Sequence, residues 1–300
     1  MQLAISHQVL WNFSVGTFIK FATENFDGME LVDEPKPHGW ELREETKSVR
    51  DALSTTNSRL TLHATYRDLN LGSINRAVRE LSVSEAMRSI ELANLFGAEV
   101  VTVHPGKIAG RKIPRADSVI ALIHSLKELA KHAEENGVLL SLENMAGSKK
   151  LCKTAPEMLE VFSAVGADNI GATIDFSHVY LMGISPRRTV DSLRKKLFNI
   201  HLSDSRGGSD HLSLGGGIMN LAEIFDLLHE AGYKRSVVLE TWYSKDPLKG
   251  AISSAQAMVP LIKKRLSQGL PSPEGEESGV PKHPGPGAGA VTPNFPVPAN

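Results

Sequence analysis

One pattern recurs six times along the chain: a short apolar run is followed by a polar residue that could bind a metal. The six segments are RLTLH (59–63), VVTVH (100–104), LLSLE (139–143), GATID (171–175), FNIHL (198–202) and VVLET (237–241). Short runs rich in Val, Ile, Leu and Thr are typical of buried β-strands. Two more strand-like runs, at 2–6 and 28–32, precede these six, so the sequence predicts eight strands.

Helix-like segments alternate with the predicted strands, and the clearest span 78–98, 118–137 and 221–232. Apolar residues recur there at intervals of three and four, and a glycine stands near each end, where a helix commonly stops. Eight β/α units predict a (β/α)8 TIM barrel over residues 1–267, which forms a single catalytic domain. A doubly wound open sheet is the alternative architecture.

The composition changes in the last part of the chain, residues 268–300. The segment 271–300 holds eight of the sixteen prolines and five glycines, and it has almost no aliphatic periodicity. Such a segment buries too little apolar surface to offset the entropy of ordering it. We therefore predict a disordered Pro/Gly-rich tail.

Charge and composition limit the remaining possibilities. The net charge of −1 gives no global basic surface, so contact with nucleic acid would require a local basic patch. The single cysteine, Cys152, excludes an intrachain disulfide framework. The N-terminus lacks the regions of a signal peptide, and no apolar run approaches the roughly 18–20 residues of a membrane span. We expect a cytoplasmic protein without a membrane partner, and the sequence indicates no particular protein partner.

Polar residues at the predicted strand ends are the candidate site. In a parallel barrel the carboxyl ends of all strands surround one mouth, so these side chains would converge there. The six are His63, His104, Glu143, Asp175, His201 and Glu240, and the adjoining loops add His178, Asp210 and His211. Charged groups at the ends of buried strands are costly unless they are paired, and imidazoles with carboxylates are the donors that zinc or manganese accepts. The pattern therefore favours a divalent metal site over a purely structural hydrogen-bonded network.

The same residues resemble those of the xylose-isomerase-like TIM barrels over most of residues 1–266. This superfamily includes endonuclease IV (AP endonuclease family 2) and the sugar phosphate isomerases and epimerases. The endonuclease pattern implies three zinc ions. It implies that His63 in LHATY and His104 in VHPG hold the first zinc, and that Glu143 in LEN bridges to the second. It also implies Asp175, His201 and Glu240 for the second zinc, and His178 and His211 for the third.

Some positions depart from the endonuclease pattern. Ser209 stands at the aspartate position of the third zinc, and Asp210 is displaced from it by one residue. Three consecutive glycines (215–217) replace the family's Gly-Glu-Gly. Glu30 and Glu34, in GMELVDEP, are more typical of the sugar-enzyme branch, because acidic residues in a DNA-facing loop would repel phosphates.

Two functions follow from the resemblance. The first is phosphodiester hydrolysis in DNA repair, in which two or three Zn²⁺ act at abasic sites and Tyr66 helps to fill the gap. The second is isomerisation or epimerisation of a small sugar or sugar phosphate. One Mn²⁺, Co²⁺ or Zn²⁺ would then suffice, with Glu143 and Glu240 as the catalytic proton carriers. The extra histidines lead the sequence interpretation to prefer the hydrolase, and a non-catalytic scaffold ranks last.

Overall fold

Eight parallel strands form a closed barrel in the computed structural model, which describes residues 1–36, 41–242 and 245–266. The strands are β1 (Gln2–Ser6), β2 (Gly28–Val32), β3 (Arg59–His63), β4 (Val100–Val103), β5 (Leu139–Glu143), β6 (Ile170–Asp175), β7 (Leu197–Leu202), β8 (Asp204–Arg206), β9 (Ser209–Leu212) and β10 (Ser236–Leu239). The barrel order is β1-β10-β7-β6-β5-β4-β3-β2, while β8 and β9 form a separate antiparallel hairpin. Because β1 pairs with both β10 and β2, the barrel prediction is confirmed and the open sheet is wrong.

Helices connect the barrel strands. They are α1 (Val15–Asn25), α2 (Glu41–Glu44), α3 (Thr46–Leu53), α4 (Arg76–Phe96), α5 (Arg115–Glu135), α6 (Ala155–Val165), α7 (Phe176–Leu181), α8 (Pro186–Leu193), α9 (Leu221–Glu230) and α10 (Pro247–Leu266). Short 3-10 turns follow β1 at His7–Leu10 and precede β7 at Arg194–Lys196. No helix in the described part of the chain is both long and apolar enough to cross a membrane.

The predicted boundaries differ from the observed ones by a few residues. Four strand predictions (2–6, 28–32, 59–63 and 139–143) coincide with β1, β2, β3 and β5. The helix predicted at 78–98 begins earlier because the Asn75 side chain accepts a hydrogen bond from Ala77 N–H and caps α4. It ends before Gly97, whose φ of 77° suits glycine. The predicted tail, 268–300, lies outside the described residues.

The parallel registers bring the candidate residues to one end of the barrel. His63 on β3 pairs with Val32 on β2, and Asp175 on β6 pairs with His201 on β7. The strands are buried along almost their whole length, because helices cover the outside of the barrel and side chains fill its interior. The carboxyl ends of β3, β5, β6 and β7 therefore present their last inward-facing residues to a common mouth.

Candidate metal centre

Three overlapping groups of ligand atoms lie at the mouth of the barrel. Cluster A contains His63, His104 and Glu143, cluster B contains Glu143, Asp175, His201 and Glu240, and cluster C contains Asp175, His178 and His211. Within each cluster one ligand atom per residue lies within 4.8 Å of all the others. Glu143 belongs to A and B, and Asp175 belongs to B and C. Eight of the nine residues predicted from sequence are thus brought together.

Cluster A joins two imidazoles to one carboxylate oxygen. The Nε2 atoms of His63 and His104 lie 3.4 and 2.9 Å from Oε2 of Glu143. His63 Nδ1 lies 2.8 Å from the Ala64 carbonyl and donates to it, so the Nε2 lone pair of the neutral ring faces Glu143. Burial opposes a charge on His63, but the negative charge of the neighbouring Glu143 carboxylate raises the pKa of His63 to about 9. Burial lowers the pKa of His104 to about 4.

Cluster B is fully buried and lies at the centre of the mouth. His201 Nδ1 lies 2.8 Å from Glu240 Oε2 and 3.5 Å from Glu143 Oε1. Although burial favours the neutral acid, His201 lowers the pKa of Glu240 to about 2, and His104 and His201 hold the pKa of Glu143 well below its ordinary value. Both glutamates are therefore carboxylates at neutral pH.

The polar atoms of cluster B fit a divalent cation. Four of them are buried and make no hydrogen bond: Glu143 Oε2, Asp175 Oδ2, His201 Nδ1 and Glu240 Oε2. An unpaired buried polar atom costs about 1–3 kcal/mol, and native proteins contain few of them. Three carboxylates and one imidazole are a donor set that zinc or manganese accepts. These four residues could hold one divalent ion.

Cluster C lies beside B, towards the hairpin. His178 Nδ1 lies 3.7 Å from Asp175 Oδ2 and 2.9 Å from the Asn144 carbonyl. His211 Nδ1 lies 3.2 Å from the carbonyl of Glu240, and its ring stacks on Trp242 with centroids 3.9 Å apart. Asp210, the ninth predicted ligand, lies outside the three clusters. Its carboxylate is partly exposed and approaches His178 Nε2 at 3.9 Å.

The loop that carries His211 is anchored by the buried carboxylate of Asp204. This carboxylate accepts hydrogen bonds from the backbone N–H groups of Ser205, Gly215 and Met219 at 2.9–3.1 Å. A Cβ atom at Gly217 would lie 2.1 Å from Asp204 Oδ1, so no larger residue fits there without a shift. Gly217, where the family pattern also has glycine, therefore allows this close packing, and only Gly216 departs from the pattern.

A layer of buried polar residues supports the ligands from inside the barrel. It consists of Glu30, Thr61, Thr102, Ser141, Thr173 and Asn199. Glu30 Oε2 lies 3.0 Å from both Thr61 Oγ1 and Asn199 Nδ2, and 3.2 Å from His201 Nε2. Five members of the layer stand two residues before a predicted ligand, as in LTLH and LSLE, because side chains of a strand alternate between two faces.

Comparison with known proteins identifies the family. The chain matches the family described as "Xylose isomerase-like TIM barrel" over residues 19–261. It belongs to this family. The protein MJ1311 of Methanocaldococcus jannaschii is 30% identical over 242 residues, which are 77% of this chain and 80% of that protein. Among solved structures, a D-tagatose 3-epimerase-like protein is 26% identical with a TM-score of 0.80, covering 89% of this chain and 99% of that chain.

Relatives of this chain are named for different activities. An inosose isomerase of Halalkalibacterium halodurans is 26% identical over 165 residues, covering 53% of this chain and 58% of the isomerase. Probable endonuclease 4 proteins also match. The resemblance to the superfamily is therefore confirmed, and membership alone does not choose between sugar chemistry and DNA hydrolysis.

Glu30 and Glu34, the two acidic residues in and after β2, do not lie in a substrate-facing loop. Both Glu30 and Glu34 are buried, rather than facing a substrate from a loop. Glu30 points into the barrel towards His201, and Glu34 accepts backbone hydrogen bonds from Tyr66 and Arg67. The interpretation of these acids as a surface that repels DNA is wrong, because they satisfy donors inside the protein.

Residues of clusters A, B and C line a cleft with a volume of about 210 Å³. This volume is below the roughly 300–1,000 Å³ of pockets for drug-sized ligands, so the cleft suits a small molecule. Tyr66 lines the cleft, and its ring lies 4.2 Å from that of His104, centroid to centroid. Trp242 lines it as well, with 45% of its surface exposed. The only lysine or arginine among the described lining residues is Lys150.

Proposed function

We propose that this chain is a divalent-metal-dependent isomerase or epimerase that acts on a small polyhydroxylated ketone or aldehyde through an enediolate. The observation that carries the proposal is cluster B, where Glu143 and Glu240 converge with an imidazole at the base of a cleft of small-molecule size. Asp175 and His201 would hold the ion together with the two glutamates. When bound there, a divalent ion supplies Lewis acidity that polarises the substrate carbonyl and the adjacent hydroxyl.

Glu143 and Glu240 would carry the proton. One carboxylate removes the proton from the carbon next to the carbonyl, and the C–H electron pair forms the enediolate double bond. The other carboxylate takes a proton from solvent in the cleft and returns it to the opposite face of the same carbon, which gives an epimer, and the first then releases its proton to solvent. For an isomer, the proton is returned to the neighbouring carbon and the hydroxyl proton passes to the former carbonyl oxygen. Their lowered pKa values keep both groups ionised before the first transfer, as a general base requires.

The relatives support this class of reaction. The structure with a TM-score of 0.80 is a D-tagatose 3-epimerase-like protein, and an inosose isomerase is among the sequence relatives. Tagatose and inosose, for which these proteins are named, carry several hydroxyl groups. Such compounds suit a cleft that combines carboxylates and imidazoles with two aromatic side chains, Tyr66 and Trp242.

Solvent deuterium exchange tests the proposal on a panel of candidate substrates. Manganese-, cobalt- or zinc-loaded protein is incubated in D₂O with a series of ketoses, aldoses and inososes, and NMR detects deuterium next to the carbonyl. We expect exchange with at least one member, and its loss in Glu240→Gln protein. Elemental analysis of that variant separates lost proton transfer from lost metal. The absence of exchange across the panel in fully metal-loaded protein would contradict the proposal.

A second candidate is the multi-zinc phosphodiester hydrolysis preferred by the sequence interpretation. Clusters A and C favour it, because a single-metal isomerase requires neither His63 and His104 nor His178 and His211. Elemental mass spectrometry distinguishes the two functions. Two or three zinc ions per chain, falling by about one in the His63→Ala/His104→Ala double variant, together with nicking of abasic duplex DNA, would support the hydrolase. One ion per chain that the double variant retains would support the isomerase.

A further inference from the structure

Lys150 is a basic side chain of the cleft that neither the metal clusters nor the proton transfer uses. It lies in the loop between β5 and α6, is half-buried, and lines the cleft together with Glu143 and His104. No ion pair or hydrogen bond joins its ammonium group to any residue of the described ranges. The neighbouring basic side chain of Arg115, in contrast, pairs with Glu157 at 2.9 Å.

The backbone around Lys150 is held on several sides. Lys150 pairs with Lys107 in an isolated antiparallel bridge, and its carbonyl accepts a hydrogen bond from Arg115 Nη1 at 3.0 Å. The next residue, Leu151, is buried and donates its N–H to the Gly106 carbonyl. The Lys107 backbone is in turn held by both ends of the Asn70 side-chain amide, at 2.8 and 2.9 Å. The base of the Lys150 side chain is therefore fixed before any ligand arrives.

An ammonium group without a direct partner is energetically unfavourable in this position. Burial lowers the pKa of Lys150, because it removes part of the cation's hydration shell, and the more distant charge of Glu143 offsets this only in part. Lys107 and Lys149 are exposed nearby and add to the positive potential. An anionic group would relieve this cost, and lysine is a common point-charge ligand for phosphate.

We infer that the substrate of this cleft carries a phosphate group that binds to Lys150, while its carbonyl end lies at cluster B. This inference rests on the proposed isomerase or epimerase function and narrows its substrates to sugar phosphates. Lys149, one residue earlier, is exposed and does not line the cleft, so it provides a matched control.

Equilibrium binding of paired enediolate mimics tests the inference. The probes are glycolohydroxamate and phosphoglycolohydroxamate, together with the four-carbon pair erythronohydroxamate and 4-phosphoerythronohydroxamate. Each is titrated into metal-loaded wild-type, Lys150→Met and Lys149→Met proteins by calorimetry. We expect the phosphate to tighten binding about tenfold or more for at least one pair. Lys150→Met should remove most of this increment, Lys149→Met should retain it, and the metal content should stay constant in all three proteins.

The possible outcomes distinguish failure of the Lys150 assignment from failure of the proposed isomerase or epimerase function. If the unphosphorylated hydroxamates bind in a metal-dependent way but the phosphate tightens binding less than about twofold, the proposed function is not contradicted and the assignment of Lys150 is wrong. The assignment is also wrong if the phosphorylated probe keeps its full gain in affinity over the unphosphorylated probe in Lys150→Met protein. If no hydroxamate binds to metal-loaded protein, the proposed function itself fails.

Discussion

His201 is held between two glutamates that contact opposite nitrogens of its ring. Its Nε2 atom lies 3.2 Å from the carboxylate of Glu30, and its Nδ1 atom lies 2.8 Å from Glu240 Oε2. A carboxylate can only accept, so both ring nitrogens donate when His201 is protonated. With a cation in cluster B, Nδ1 would supply its lone pair to the ion, and the remaining proton would stand on Nε2 and be donated to Glu30. Metal-binding histidines commonly donate their second N–H to such an acceptor, which fixes the tautomer and the ring orientation.

Glu30→Leu should therefore weaken metal binding at cluster B by about 10- to 100-fold. Leucine removes the acceptor for His201, Thr61 and Asn199. Glu30→Gln should lose less affinity, because its amide oxygen can still accept from His201. A chelator-competition titration measures all three proteins, and circular dichroism verifies their fold. Equal affinity in wild-type and Leu proteins would refute a positioning role for Glu30.

Asn144→Ala should destabilise the metal-free protein by about 2–4 kcal/mol. The Asn144 side chain accepts from Asp175 N–H at 2.7 Å and donates to the Asp175 carbonyl at 3.1 Å, and all these groups are buried. The substitution leaves both backbone groups without a partner. Urea unfolding measures the loss. Asn25→Ala, which removes one exposed side-chain hydrogen bond, serves as the control and should shift stability by no more than about 0.5 kcal/mol.

Removal of metal should lower the melting temperature, and reloading should restore it. A divalent cation would give the buried ligand atoms of cluster B a common partner, and a ligand at 1,000 times its dissociation constant stabilises the native state by about 4 kcal/mol. Differential scanning calorimetry with and without EDTA measures the shift. Asp175→Asn should show a smaller shift than His124→Ala, which alters a histidine on the outer helix α5, away from the mouth. Identical shifts in the two variants would argue against metal at this cluster.

The metal-free protein should be most stable near pH 6.5. His63 has a pKa raised to about 9, so between pH 6.5 and about 9 the native state binds more protons than the unfolded state, and stability falls as the pH rises. His104 has a pKa lowered to about 4, so the unfolded state binds more protons between about 4 and 6.5, and stability rises with pH there. Urea unfolding of chelated protein across this range measures both slopes.

His63→Ala should remove much of the decrease in the free energy of unfolding between pH 6.5 and about 9. His201, whose pKa is also raised by its neighbouring carboxylates, should sustain the remainder. Metal-loaded protein should show a smaller decrease in stability above pH 6.5, since a coordinated His201 has given up its proton. A chelated protein whose stability continued to rise from pH 6.5 to 9 would contradict the assignment.

The strand ends could be predicted from sequence because they depend on local information. An apolar run followed by a polar residue marks the end of a buried strand, and barrel closure carries all such ends to one mouth. This is why His63, Glu143, Asp175 and His201 converge as expected. His104 and Glu240 also reach the clusters, although each lies one residue beyond its strand.

The residues that the sequence interpretation missed depend on contacts between distant parts of the chain. Glu30 meets His201 across a separation of 171 residues, and β1 and β10 stand between their strands in the barrel. A charged residue inside the apolar strand GMELV was the available signal. The stacking of His211 on Trp242 joins two loops, and no periodicity in the sequence indicates it. Likewise, the approach of Asp210 to His178 depends on the conformation of the hairpin, where His211 has a φ of 51°.

The sharing of Glu143 and Asp175 between clusters also bears on how such barrels diverge. Cluster B contains both shared carboxylates, so a lineage that loses His63 and His104, or His178 and His211, keeps the central ligand set whole. A descendant with one ion and a descendant with three are then separated by a few substitutions around the rim, and each intermediate along the way retains a complete central site. Gain and loss of outer ions is therefore an open evolutionary path, whereas replacement of either shared carboxylate would dismantle two clusters in a single step.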